Sequence, residues 1–239
     1  MNFSPYLLAG LTLGLVTTCC FGETSPTDDQ IKSNPSSPNP NTSRKDSETI
    51  TGNDLSINTK KPIVYVEPFM GAPRKINRIS MGTRSQSLST AYLAVVAPQG
   101  VGITNKPDPT LYWYISKPID YPLEFVIAPK YSEKLHRQHL APIKKAGLQS
   151  ISLADLGITL DPKVQYDWSV AAIVDSERHS RDQVALGQLM LVPPDDRLKN
   201  HLATLVPTQL PYELARKGVW YDAIESLVSI ILKNCDDQT

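Results

Sequence analysis

The 239-residue sequence has no cysteine between Cys20 and Cys235, which removes a disulfide framework from the forces that can hold it folded. Cys19 and Cys20 close an N-terminal leader, so removal of that leader leaves Cys235 without a partner in the chain. Net charge is also missing: 24 Lys and Arg balance 24 Asp and Glu, and no global field draws the chain to nucleic acid. No apolar run is long enough to span a bilayer, which takes ~20 residues. Absent too are a G-x-S-x-G elbow, an H-E-x-x-H, a Walker loop and a paired-cysteine site. Gly100-x-Gly102 lacks the third glycine and the following helix of a dinucleotide site. No motif calls for a cofactor.

What is present begins with an address. Tyr6 to Val16 is a short apolar run followed by small residues through Gly22, the pattern of a secretory signal, although no Lys or Arg precedes it. Val16-Thr17-Thr18-Cys19 resembles the lipobox of bacterial lipoproteins, in which the cysteine is lipidated; Thr18 departs from the preferred Gly, Ala or Ser. Residues 1–22 are therefore expected to be a signal peptide with Cys19 as a candidate lipidation site, the one expected route to a membrane. Residues 23–61, rich in Ser, Thr, Asn and Pro, cannot bury enough surface to offset ordering entropy and are read as a disordered linker. Residues 62–83 form an expected extended basic arm, which includes Arg74 and Arg78.

From 84 to 193 the hydrophobic period is two. Leu111, Trp113 and Ile115 share one face of a strand, and Tyr112 and Tyr114 the other. Leu123, Phe125 and Ile127 alternate with Glu124, Val126 and Ala128. Tyr166, Trp168, Val170, Ala172 and Val174 fall on one side of a longer run, and Val184 to Val192 closes the set. Such short strands, broken by Pro, Gly and Asp, indicate an immunoglobulin-like β-sandwich. A barrel would show the same pattern, because strand order is not written in it.

After Pro193-Pro194 the period becomes helical. Asp195 or Asp196 caps a helix running to Leu205, Leu210 to Lys217 forms a second, and Gly218 is placed as its left-handed cap. A third carries Trp220, Ala223, Ile224, Leu227 and Ile231 on one stripe, with Asp222, Glu225 and Ser229 opposite. Fold class is thus mainly β with a C-terminal α part: a sandwich over 84–193, a helical hairpin over 194–233 and an acidic tail over 234–239. One helix pair resembling a tetratricopeptide unit cannot bury a continuous core alone, so it is expected to pack on the sandwich, in preference to a partner's helices.

The motif GAPRKINRISMGTR, Gly71 to Arg84, is similar to the opening of the bacterial family named domain of unknown function 928. The likeness continues through Leu93–Pro98, Gly102-Ile103-Thr104, Pro109–Ser116, Glu124-Phe125, Tyr166-Asp167-Trp168 and Gly218–Ala223. Met81 departs where a second glycine is common, and Val174-Asp175 lacks a cysteine often seen there. The resemblance implies an exported protein and carries no particular reaction, cofactor or catalytic residue.

Candidate chemistry is sparse. His136-Arg137-Gln138-His139 would place two imidazoles on one side of a helical turn, yet two ligands fall short of a metal site and the nearby Lys and Arg repel a cation, so the pair reads as exposed loop histidines. Asp175, Glu177, His179 and Asp182 share a charged loop, which reads as solvated. Arg74, Arg78 and Arg84 can fork onto carboxylate or phosphate. Tyr112 and Tyr114, if outward, can stack on sugars or a peptide, whereas Trp113 and Trp168 belong to the core. These residues point to a non-catalytic binding module of the cell envelope, with an envelope protein or an anionic envelope polymer as partner. The alternative is an envelope hydrolase or transferase that gathers His136, His139 or His179 with acidic residues into one site.

Overall fold

Alternation with a period of two requires each strand to bury one face, and two sheets meet that need by facing each other across a shared core. A computed structural model describes residues 62–68, 91–174 and 182–236 of the chain. Among these described residues are eight strands: β1 Leu93–Val95, β2 Gly102–Thr104, β3 Thr110–Ile115, β4 Leu123–Pro129, β5 His136–Leu140, β6 Gly147–Ser152, β7 Gln165–Ala172 and β8 Gln183–Leu191. Three helices follow, α1 Asp196–Ala203, α2 Leu210–Arg216 and α3 Trp220–Asp236, with a 3-10 turn at Pro207–Gln209 before α2.

The smaller sheet has the order β1-β3-β6 and the larger β2-β8-β7-β4-β5. Every pair is antiparallel except β2 with β8. Leu111, Trp113 and Ile115 of β3 face Leu123, Phe125 and Ile127 of β4 and Trp168 and Val170 of β7 in one hydrophobic core. Trp113 and Trp168 are buried, as their alternation predicts. Gly187 lies directly opposite Trp168, and a Cβ there would sit 2.5 Å from the indole Nε1, so the missing side chain makes room for the ring.

Two strands depart from the sequence reading. His136–Leu140 is an edge strand and not an exposed loop, so His136 and His139, three apart, fall on opposite faces. Strand geometry separates the two imidazoles that an H-x-x-H on a helix would bring together. Pairing with β4 decides the matter, because Leu140 stacks beside Leu123 in the core while Arg137 and His139 flank the outward Glu124. Gly102–Thr104 is three residues long and gains its identity from parallel pairing with β8.

The helices are built into the sandwich. Tyr221, at the start of α3, is buried in the same core as Trp168; its hydroxyl accepts from Trp168 Nε1 at 2.9 Å and donates to the Gln188 carbonyl at 2.8 Å. Gly102 leaves space for that ring, since a Cβ would meet it at 2.5 Å. Trp220 donates to the Val96 carbonyl at 3.1 Å. Gly218, at φ +77°, turns the chain from α2 into α3, the left-handed role its position suggested. The buried stripe of α3 differs from the helical-wheel expectation: Tyr221, Asp222, Ala223, Val228 and Ile230 are buried, and Ile231 is 43% exposed. The cause is end-on insertion, because the first turn is surrounded by β2, the core and α2 together. Ile63 to Glu67 runs over this junction, with Val66 N donating to the Ala215 carbonyl, Tyr65 edge-on to Trp220 at 4.8 Å and Glu67 accepting from Gly100 N.

Candidate functional site

Outward positions of the smaller sheet follow from its register. Tyr114 sits between Ala94 on β1 and Leu148 on β6. Tyr92 lies beside Ser116, whose hydroxyl accepts from Tyr92 N at 2.8 Å and whose N–H donates to the Tyr92 carbonyl at 3.0 Å. Tyr92 and Tyr114 are thus diagonal neighbours on one face, 44% and 42% exposed. Half-buried Ala94 and Leu148 floor the ground around them.

Tyr112 points to the same side but does not share the exposure. It is 7% exposed because α3 packs on that end of β3. Burial, reinforced by the Glu225 carboxylate, pushes its hydroxyl up to about 12. The outward tyrosine pair read from β3 is therefore Tyr114 with Tyr92, and Tyr112 serves the helix contact. Periodicity along one strand could not reveal this, since Tyr92 reaches Tyr114 only through pairing of β1 with β3.

Cationic groups gather at the same end of the sheet. Ser116 leads into Lys117, and the partner strand enters through Lys144 and Lys145 before Gly147, which pairs with Ile115. Lys144 and Lys145 are exposed, and Lys144 is 3.0 Å from Asp120. Aromatic rings with an excess of ammonium groups beside them suit a polyanion with apolar faces. Arg74, Arg78, Arg84, Cys19 and His179 lie outside the described residues, as do Asp175 and Glu177. Asp182 is described, and its Oδ1 accepts from Val174 N at 3.2 Å.

The remaining histidines do not converge. His139 Nδ1 is 3.8 Å from Glu124 on the outer face of β5, His136 faces the other way, and His201 Nε2 is 3.2 Å from Glu213 between α1 and α2. Among the described residues no three His, Cys, Asp or Glu side chains are grouped to hold a metal.

One carboxylate was missed by the helical-wheel reading. Asp222, expected to face water, is buried against the end of β2, accepting from Thr104 Oγ1 at 2.7 Å and from Asn105 N at 3.1 Å. Burial raises its pKa, while those two hydrogen bonds and Lys106 oppose the rise. A helix-borne acceptor placed on a strand end does the work of a latch.

The sequence model of the family described as Domain of Unknown Function (DUF928) matches residues 71–239. This chain belongs to DUF928. The match takes in the whole described body of the DUF928 chain apart from residues 62–68. Among solved structures it is similar to "Solution structures of the fn3 domain of human collagen alpha-1(XX) chain", at 8% identity and a TM-score of 0.27, over 48% of this chain and 93% of that one. No curated protein matches it. Among the described residues of this DUF928 chain, no helix is long and apolar enough to cross a membrane.

Proposed function

We propose that this DUF928 chain is an exported, non-catalytic binding module whose tyrosine face engages an anionic polymer of the cell envelope. The observation that carries the reading is the exposed diagonal pair Tyr92 and Tyr114 on the smaller sheet, with Lys117, Lys144 and Lys145 at the same end. Rings of this kind offer an apolar plane to a sugar ring, and the ammonium groups supply the charge preference. The leader over residues 1–22 and the linker over 23–61 support an exported, tethered position, with Cys19 as the anchor if lipidated. Arg74, Arg78 and Arg84 stay candidate contacts to carboxylate or phosphate on their side-chain chemistry alone. Histidines dispersed over β5 and α1 argue against the hydrolase or transferase alternative.

Co-sedimentation with insoluble envelope polysaccharide tests the reading. Wild-type protein is expected in the pellet, and Tyr92→Ala combined with Tyr114→Ala should weaken retention about tenfold, the equivalent of ~1.4 kcal/mol of lost stacking. Retention should also fall as salt is raised to about 0.5 M, where charge interactions are screened. Equal retention of the double variant, with its melting curve unchanged, would remove the tyrosine face from the mechanism.

A further inference from the structure

Helix α1 has eight residues and none of them is buried. A helix this short is not stable in isolation. It is held at its ends: Asp195 accepts from Leu198 N at 2.7 Å, and His201 meets Glu213 at 3.2 Å. Arg216 also bonds Glu213, through Nε at 3.0 Å and a terminal nitrogen at 2.8 Å, and these bonds hold the carboxyl below its usual range. Between these points Leu202 packs, half-buried, against the cluster of Leu214, Ala215, Val219 and Ala223, and a hollow lies on each side of the helix. One, of about 500 Å³, opens toward the 3-10 turn and α3; the other, of about 680 Å³, opens toward the end of β8 and α2. Asn105 and Pro194 border both, so the two hollows share a floor. Both volumes fall in the range of roughly 300–1,000 Å³ seen for small-molecule sites.

The first hollow is mainly hydrocarbon: Leu202, Leu210, Leu214 and Ile230 line it. Its inner end is polar. Asn105 Nδ2 is enclosed and has no acceptor among the described residues, an unfavourable state for an amide donor. Each hollow is bordered by three Lys or Arg side chains and two Asp or Glu. All four acids are engaged: Asp195 caps α1, Glu213 holds Arg216 and His201, Asp222 holds β2, and Glu225 is 2.8 Å from Lys106. Lys106, Lys199, Arg216 and Lys217 are paired in turn with Glu225, Asp196 and Glu213, which leaves Lys233 as the surplus cation of the first hollow and Arg197 as that of the second. An apolar trough with an unfilled amide donor and the Lys233 ammonium on its rim suits an acidic head on an apolar tail.

We propose that the hollow beneath α1 binds a single-chain anionic amphiphile, its tail along Leu202, Leu214 and Ile230 and its acidic head accepting from Asn105 Nδ2 beside Lys106. Both hollows are open to solvent, so a ligand can enter with the sheets unchanged. The site is independent of the tyrosine face and stands or falls separately from it.

Titration calorimetry of the full chain with decanoate below its micelle concentration tests the proposal, with decanol and decyltrimethylammonium as comparisons. Decanoate should bind at least tenfold tighter than either, with a negative heat-capacity change. Leu202→Asp should weaken decanoate at least tenfold; since Leu202 is half-buried against the Leu214 cluster, its melting temperature should fall by only a few degrees while the cooperative transition is kept. Asn105→Ala should bring decanoate toward decanol while leaving decanol unchanged. Absence of decanoate binding, equal binding of the cationic analogue, or binding that Leu202→Asp leaves intact would each overturn the assignment.

Discussion

At Asp222 two requirements conflict. A carboxylate enclosed by protein prefers to be neutral, yet its partners, the Thr104 hydroxyl and the Asn105 N–H, are donors that favour an acceptor. Burial outweighs them and the pKa is raised. A carboxyl whose folded pKa lies above its unfolded value binds its proton more tightly in the native state. Its contribution to stability is therefore full below the unfolded pKa of about 4 and is lost as pH rises through the raised folded value. Asp222→Asn can keep both contacts, its Oδ1 accepting from Asn105 N and its Nδ2 donating to Thr104 Oγ1. Urea midpoints measured from about pH 3 to pH 8 should decline more steeply with rising pH in wild type than in this variant. Parallel curves would mean that the burial of Asp222 does not govern its titration.

Elements differ in how far local sequence specifies them. Strands β3, β4, β7 and β8 each present an apolar face that can only be inward, so their existence and the burial of Trp113, Phe125 and Trp168 could be read directly. β5 and β2 could not. HRQHL has one buried residue, and its strand conformation is dictated by β4, while GIT is held by β8 and by Tyr221. The same limit explains the tyrosines: their side of the sheet was legible, but coverage of Tyr112 by α3 and the approach of Tyr92 are tertiary facts. Helix α1 marks the opposite extreme, an element specified by its cap and little else. The Asp195 side chain satisfies Leu198 N, and Asp195→Ala should cost about 0.5–2 kcal/mol of local helix stability. Hydrogen exchange should show faster exchange of the α1 amides alone, with protection in β7 and β8 unchanged. Uniform acceleration across the sheets would show that α1 is coupled to the core.

For the molecule as a whole, the question is whether sandwich and helices are one cooperative unit or two. Their sequence patterns meet at a sharp border, Pro193-Pro194, which invites division there. Energetics argue otherwise. Tyr221 completes the core next to Trp168, fills the space left at Gly102 and supplies the acceptor for the indole N–H. Asp222 holds the end of β2, and Trp220 ties β1 through the Val96 carbonyl. Removing these groups would open a cavity larger than a single Phe or Trp truncation, for which about 3–5 kcal/mol is typical, against a total stability of about 5–15 kcal/mol. A chain ending at Val192 should therefore lack a cooperative thermal transition, while the full chain should unfold in one. Calorimetry of both separates the alternatives: a truncated chain that melts sharply near the full-length temperature would show the sandwich to be self-sufficient, and α3 would then be a docked appendage. Single-transition behaviour has a functional corollary. With the core, β2 and α3 locked together, the walls of the hollow beneath α1 belong to the same cooperative unit as the sandwich.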